Sequence, residues 1–163
     1  MSNKHLPHVV VLPEDDANGD MARGFKLSPE LGDPRLFRVL PPAGGWLKVL
    51  DCFQDQQVKD MERFPMRLMI LLFDFDGDPN RIEIARTRIP KTLADRVFVL
   101  GVLRDPETLK SASRRSLESI GEQIARDCRN GNDATWSDPL LLHNAAELAR
   151  MNKTVRPVLF PVF

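Results

Sequence analysis

Apolar residues in this chain gather into four short runs: HVVVL at 8–12, LFRVL at 36–40, LMILLF at 68–73 and VFVLGV at 97–102. They are near-continuous rather than alternating, the pattern of strands buried on both faces. Pro13 and the pair Pro41–Pro42 close the first two, because proline cannot donate to a continuing ladder. Between the runs the period changes. Trp46, Leu47, Val49, Leu50 and Phe53 open a helical pattern that reaches about Arg63. Ile82, Ala85 and Ile89 mark a shorter helix over 80–89, stopped by Pro90. From Glu14 to about Leu27 the helical face is weak and interrupted by Gly19 and Gly24, which predicts a poor helix or a helix-loop.

Beyond Val102 the pattern is helical. Leu117, Ile120, Ile124 and Cys128 share one face, and Asn130–Gly131 supplies a C-terminal stop. Ser137-Asp138-Pro139 has the chemistry of a helix start and predicts a helix through Leu141, Ala145 and Leu148. The apolar tail VRPVLFPVF is expected to add a short strand or to cover the core. Strands alternating with helices predict an α/β fold, a mostly parallel sheet of four or more strands with helices on both faces. The core spans about 8–103 and a helical C-terminal extension about 104–163, within one domain.

Composition bounds the function. The 163 residues are 42% hydrophobic and 28% charged, with a formal net charge of zero. That is enough chain for a sizeable core. Zero net charge gives no overall attraction to nucleic acid or to an anionic membrane, so any such contact must come from a local patch. No run approaches the length of a membrane span, and the first apolar run is too short for a signal segment, so a cytoplasmic protein is expected. Cys52 and Cys128 have neither metal nor redox spacing and read as small core residues.

In open parallel sheets the working residues collect beyond the carboxyl ends of the strands. Glu14, Asp15 and Asp16 follow the first strand, and Asp74, Asp76 and Asp78 follow the third in LMILLFDFDGDPNR. Like charges this close repel and need an offset. If the first and third strands are parallel neighbours, the two acidic groups meet at one edge and offer oxygen ligands to a hard cation, Mg2+ or Mn2+. Alternation would turn Asp74 and Asp76 to one side and Phe75 into packing. Gly77 permits a sharp turn. Asp78 either joins the ion or caps the helix near Asn80.

These motifs, in this order, resemble a Toprim domain, the α/β fold of topoisomerases, primases and OLD-type nucleases. That family carries a glutamate after its first strand and D-x-D, sometimes D-x-D-x-D, after its third. VVVLPE puts Glu14 in the first position, and LLFDFDGD, about sixty residues on, puts Asp74, Asp76 and Asp78 in the second. The resemblance covers roughly 9–102. It implies Glu14 as general acid/base at a scissile phosphodiester, Asp74 and Asp76 as catalytic carboxylates holding magnesium, and Asp78 as an outer metal ligand. It implies a nuclease acting on DNA or RNA with water as nucleophile. Strand passage by its own chemistry needs a tyrosine, and this chain has none. Small stand-alone relatives are often paired with an ATPase in defence against phage, so an ATPase partner is a further expectation. The family usually has glycine directly after the glutamate; here Asp15 stands there. A non-catalytic Toprim-like partner subunit is the alternative that this departure and the neutral charge favour.

Other acidic-pocket folds fit less of the chain. A receiver-like phospho-acceptor domain would use Asp15, Asp16 and Asp74, but it needs a hydroxyl residue after strand four and a lysine after strand five. Gly101-Val102-Leu103-Arg104 offers no hydroxyl, and Lys153 and Arg156 are poor counterparts of the lysine. Haloacid-dehalogenase phosphatases normally carry their D-x-D-G at the start of the chain. An EF-hand loop has its glycine elsewhere and a helix leading in.

Arg81, Arg86, Arg88, Lys91 and Arg96 form a basic stretch beside the acidic motif. It reads either as a contact to the phosphate backbone or as a solvated helix face balanced by Glu83 and Asp95. His143 reads as a structural histidine rather than a catalytic one, and His5 and His8 carry no spacing signal. Trp46 and Trp136 read as core or interface rather than base-stacking platforms.

Overall fold

The computed structural model describes residues 4–161, so the last two residues of the apolar tail lie outside the described residues. Strands β1 (His8–Pro13), β2 (Phe37–Val39), β3 (Arg67–Leu72) and β4 (Val97–Leu100) form one all-parallel sheet in the order β2-β1-β3-β4. The helices are α1 (Asp16–Lys26), α2 (Trp46–Cys52), α3 (Val58–Arg63), α4 (Arg81–Thr87), α5 (Pro106–Ser113), α6 (Leu117–Asn130) and α7 (Ala145–Leu159). A π-helical turn, Phe53–Gln57, joins α2 to α3.

Strand alternation sorts the core into two layers. Val10, Leu12, Met69 and Leu71 face α2, α3 and α4, with Phe53, Met61 and Ala85 buried against them. Val9, Val11, Leu68 and Ile70 face the other way, onto Ala22 of α1, Ala125 of α6, and Val155 and Leu159 of α7. Both faces of the sheet are therefore covered, as an all-parallel sheet requires. The helical segment after 104 is not an appendage: α6 and α7 close the second face. No helix among the described residues is long and apolar enough to cross a membrane.

Two elements depart from the sequence expectations, and the tail takes one of its two options. The segment after Glu14 is a regular eleven-residue helix, α1, because Gly24 is a packing residue rather than a breaker. A Cβ at Gly24 would lie 2.1 Å from the Glu118 carbonyl oxygen, and one at Gly121 would lie 2.0 Å from that of Met21. The two glycines let α1 and α6 cross backbone to backbone. Of the two expectations for the tail, it covers the core: it is helical to Leu159, with Pro157 inside α7, and Val155 and Leu159, four apart, are both buried on the sheet. The helix expected from Ser137 starts only at Ala145. Asp138 instead ties a turn, its carboxylate accepting from Leu140 N at 2.9 Å and its carbonyl from Leu141 N at 2.8 Å. The fully buried Asn144 amide then clamps both backbone groups of Gly101, at 3.1 and 2.9 Å.

His8, which carries no spacing signal in sequence, opens β1 and is buried. Its Nδ1 donates to the Leu6 carbonyl at 2.7 Å and its Nε2 accepts from Arg67 Nε at 3.0 Å. Only the neutral ring can do both, and burial, with the Arg67 charge beside it, pushes its pKa below the usual 6.5. A base with a depressed folded pKa contributes full stability above its unfolded pKa and loses it as the pH falls below that value. Between pH 7.5 and 5, wild type is therefore expected to lose more unfolding free energy in urea than His8→Gln; equal losses would contradict this role.

Candidate functional site

The chain runs from β1 outward to β2, then crosses back past β1 to β3. The strand order thus reverses between β1 and β3, and a crevice opens at their carboxyl ends, where open α/β sheets bind ligands. The pairing delivers the acidic residues to that crevice. Pro13 lies opposite Leu72, and Glu14 N donates to Leu72 O at 2.8 Å. The Glu14 carboxylate reaches across the crevice, where Oε2 accepts from Asp74 N at 2.6 Å. One oxygen each from Glu14, Asp15 and Asp74 lies within 4.8 Å of the others. Burial raises the Glu14 pKa, aided by repulsion from Asp15 and Asp76 and opposed by the Asp74 N–H. Asp74, only 8% exposed, is pushed up from 3.8 to about 7, chiefly by burial and then by Glu14 and Asp15.

Asp15 is a full member of this group. It is the N-cap of α1, accepting from Asn18 N at 2.9 Å and Asn18 Nδ2 at 2.8 Å. Its backbone, φ −149° and ψ −178°, is extended, a conformation open to any residue, so the position makes no demand for glycine. Asn18, fully buried, also donates Nδ2 to Asp74 Oδ1 at 3.0 Å. Sequence reasoning missed Asn18; the available signal was the pairing of an N-cap aspartate with a polar side chain three residues on, the spacing of a capping box.

Asp76 and Asp78 lie outside this group. Strand β3 ends at Leu72, but ladder-type bonds continue from Phe73 N to Leu100 O at 3.1 Å and from Phe75 N to Val102 O at 3.0 Å, so alternation holds through Phe75 and fails only at Asp76. Asp76 (φ +48°) and Gly77 (φ +80°) both adopt left-handed backbone, and Asp78 N donates to Phe75 O at 2.9 Å. This is the signature of a primed turn, for which Asp-Gly is a favoured dipeptide. The Asp76 carboxylate is turned outward to Arg81 Nη2 at 3.0 Å. Asp78 takes the helix-start option, accepting Asn80 N at 2.9 Å. Phe75 points into packing as expected, stacked on Phe73; Asp16, on α1, is not in the group.

The basic stretch has mostly structural employment. Arg81 donates Nη1 to Asp74 O at 2.7 Å and lies over the Trp46 ring at 4.3 Å, so it forms a wall of the crevice. Arg86 pairs with the buried Glu147 at 2.6 Å, and Arg88 with Asp51 at 2.5 Å. Arg96 donates to the carbonyls of Met61, Phe64 and Arg67. Lys91 is exposed. His143 is packed on Phe75 at 4.6 Å, with its pKa lowered by burial, consistent with a structural histidine.

Family models, curated proteins and solved structures give no match to this chain. Three carboxylates converge while Arg81, the guanidinium at the crevice wall, is committed to Asp76 and a backbone carbonyl. The fully buried Asn18 Oδ1 also has no hydrogen-bond partner among the described residues. A hard oxygen-binding cation fits such a donor set, with water completing its shell.

Proposed function

We propose that the protein is a divalent-cation-dependent phosphodiesterase acting on nucleic acid, a Toprim-like nuclease in which Glu14, Asp15 and Asp74 hold Mg2+ or Mn2+. The observation that carries this reading is the direct hydrogen bond between the Glu14 carboxylate and the Asp74 backbone across the β1–β3 crevice. Two acidic motifs about sixty residues apart in sequence share one site there. The cation, when bound, stabilises charge on phosphoryl oxygens and lowers the pKa of a water nucleophile. Glu14, whose pKa burial raises above the usual carboxylate value, is the carboxyl that would carry a proton. Arg81, fixed between Trp46 and the Asp74 carbonyl, holds the 74–76 segment in place. Asp76 and Asp78 act as turn and helix-start residues rather than inner ligands.

A second reading has its own support. Arg81, Arg86 and Arg88 are each engaged by acids of the same chain, which removes these three from a free contact to a phosphate backbone. In that reading the chain is a subunit whose partner, an ATPase by the family resemblance and with a place in phage defence, supplies the nucleic-acid contact.

Purified protein incubated with DNA and RNA, tRNA included, separates the readings. Cleavage that requires Mg2+ or Mn2+, falls at least about 100-fold in Asp74→Ala and survives in Asp76→Ala supports the nuclease. Cleavage only when the ATPase is added supports the subunit. Wild type and Asp74→Ala behaving alike under every metal condition, with and without partner, would remove the nuclease reading and leave the non-catalytic subunit.

A further inference from the structure

The first turn of α1 carries a polar side chain that the helix itself does not need. Asn18 is fully buried, against the segment that follows β3. In a capping box the residue three beyond the N-cap reaches back to the N-cap backbone N–H. Asn18 does not. Its Nδ2 donates to the Asp15 carboxylate at 2.8 Å and to Asp74 Oδ1 at 3.0 Å, the latter 56 residues away in sequence. The cap is already made by Asn18 N, which donates to the same Asp15 oxygen at 2.9 Å. The side chain therefore serves the carboxylate group rather than the helix end. One neutral amide nitrogen stands between two acids that otherwise repel.

The other end of that amide is a second, independent observation. Asn18 Oδ1 is buried and has no hydrogen-bond partner among the described residues. Ionised carboxylates only accept, so Asp15 and Asp74 hold the nitrogen on their side and leave the oxygen free. A buried acceptor without a donor is costly, and none of Glu14, Asp15 and Asp74 supplies one when ionised. A water bound to a hard cation does, because such an ion keeps several waters whose hydrogens point away from it. Oδ1 belongs to the same planar amide that touches Asp15 and Asp74, so it stands beside the oxygens that would hold the ion.

We propose that Asn18 is the positioning residue of the cation site: Nδ2 holds the Asp15 and Asp74 carboxylates together, and Oδ1 accepts a hydrogen bond from a water of the cation's shell. This role rests on the cation reading of Glu14, Asp15 and Asp74, and it adds the uncharged side chain that assembles them.

Calorimetric titration of Mn2+ at pH 8 into wild type, Asn18→Leu and Asn18→Asp tests it, with thermal unfolding of the metal-free and Mn2+-saturated proteins alongside. Asn18→Leu keeps the volume and removes both donor and acceptor. Its Mn2+ affinity is expected to fall at least about tenfold while circular dichroism shows an intact fold. Asn18→Asp keeps the shape but loses the donor and sets a fourth carboxylate against Asp15 and Asp74. It is expected to melt below wild type without cation and to gain more from saturating Mn2+ than wild type does, because the ion then relieves the repulsion that Nδ2 offsets. A role in packing alone gives no such larger gain, so the Asp variant decides even if the Leu variant does not fold. Asn18→Asp gaining no more than wild type would overturn the proposal. Equal Mn2+ affinity in wild type and Asn18→Leu would overturn it and leave the cation site standing. No saturable Mn2+ binding to wild type would remove the cation site and this role with it.

Discussion

Asp74→Asn is expected to stabilise the metal-free protein at neutral pH. The unfolded carboxyl titrates near 3.8 and the folded one near 7. Between those values the folded state holds a proton that the unfolded state has released. Stability therefore falls as the pH rises through this window and is lowest above pH 7. At 1.36 kcal/mol per unit, the shift corresponds to about 4 kcal/mol as an upper limit. Asparagine is neutral at every pH and can still accept the Asn18 Nδ2 hydrogen bond, so it removes this cost with little repacking. A gain on the order of 2 kcal/mol at pH 7.5, about 5 °C in melting temperature, and almost none near pH 4 is expected. Thermal unfolding of the two proteins across pH 4–8 checks it; a variant that is less stable at pH 7.5 would contradict the buried, repelled carboxylate. Saturating Mg2+ is expected to raise the wild-type melting temperature and not that of the variant, because cation binding displaces the proton and supplies the missing countercharge.

Gly121→Ala is expected to be strongly destabilising. In most helices glycine to alanine gains up to about 1 kcal/mol. Here the sign reverses, because the new Cβ would lie 2.0 Å from Met21 O and 2.8 Å from Phe25 N. Both are backbone atoms of α1 and cannot rotate away, so α1 and α6 must separate. The packing between these helices is the most extensive helix–helix interface in the fold. A loss on the order of 3 kcal/mol, about 10 °C in melting temperature, is expected. Weaker cation binding should accompany it, since α1 presents Asp15 and Asn18. Gly19→Ala is the internal control: the atoms nearest its Cβ would be those of the flexible Arg23 guanidinium, from 3.2 Å, and it is expected to be neutral or mildly stabilising. Chemical denaturation of both variants measures the contrast, and equal stabilities would mean that α1 and α6 do not approach this closely.

Asp74 and Gly121 mark what the sequence could and could not convey. Strands β1, β3 and β4 were legible because burial on both faces demands unbroken apolar runs, the edge strand β2 keeps Arg38 exposed within its run, and α6 was legible from Leu117, Ile120 and Ile124 with Gly131 as its left-handed cap. The meeting of Glu14 with Asp74 depended on one topological condition, that β1 and β3 be parallel neighbours, and they are. Gly24 was misleading, since a glycine that permits helix contact reads the same in sequence as one that breaks a helix. The apolar tail left a strand or a cover for the core open, and burial of Val155 and Leu159 on the sheet settles it as a helical cover. The D-x-D-x-D motif suggested Asp74 and Asp76 as ligands, with Asp78 an outer ligand or a helix cap, whereas the Asp-Gly turn inside it sends Asp76 to Arg81 and Asp78 to the start of α4. The employment of Arg86 and Arg88 depends on Glu147 and Asp51, partners that only the tertiary fold supplies. Asp15 changed meaning most. Where the resemblance expects glycine, the extended backbone accepts an N-cap aspartate, which adds a carboxylate to the site.

A cation held by Glu14, Asp15 and Asp74 is central to the proposed chemistry. Calorimetric titration of Mn2+ at pH 7.5 into wild type, Asp74→Asn, Asp15→Asn and Asp76→Asn tests that site most directly. One saturable ion per chain is predicted for wild type and Asp76→Asn, with binding weakened at least about tenfold in the other two. No saturable binding to wild type, or binding lost with Asp76 and retained without Asp74, would contradict it.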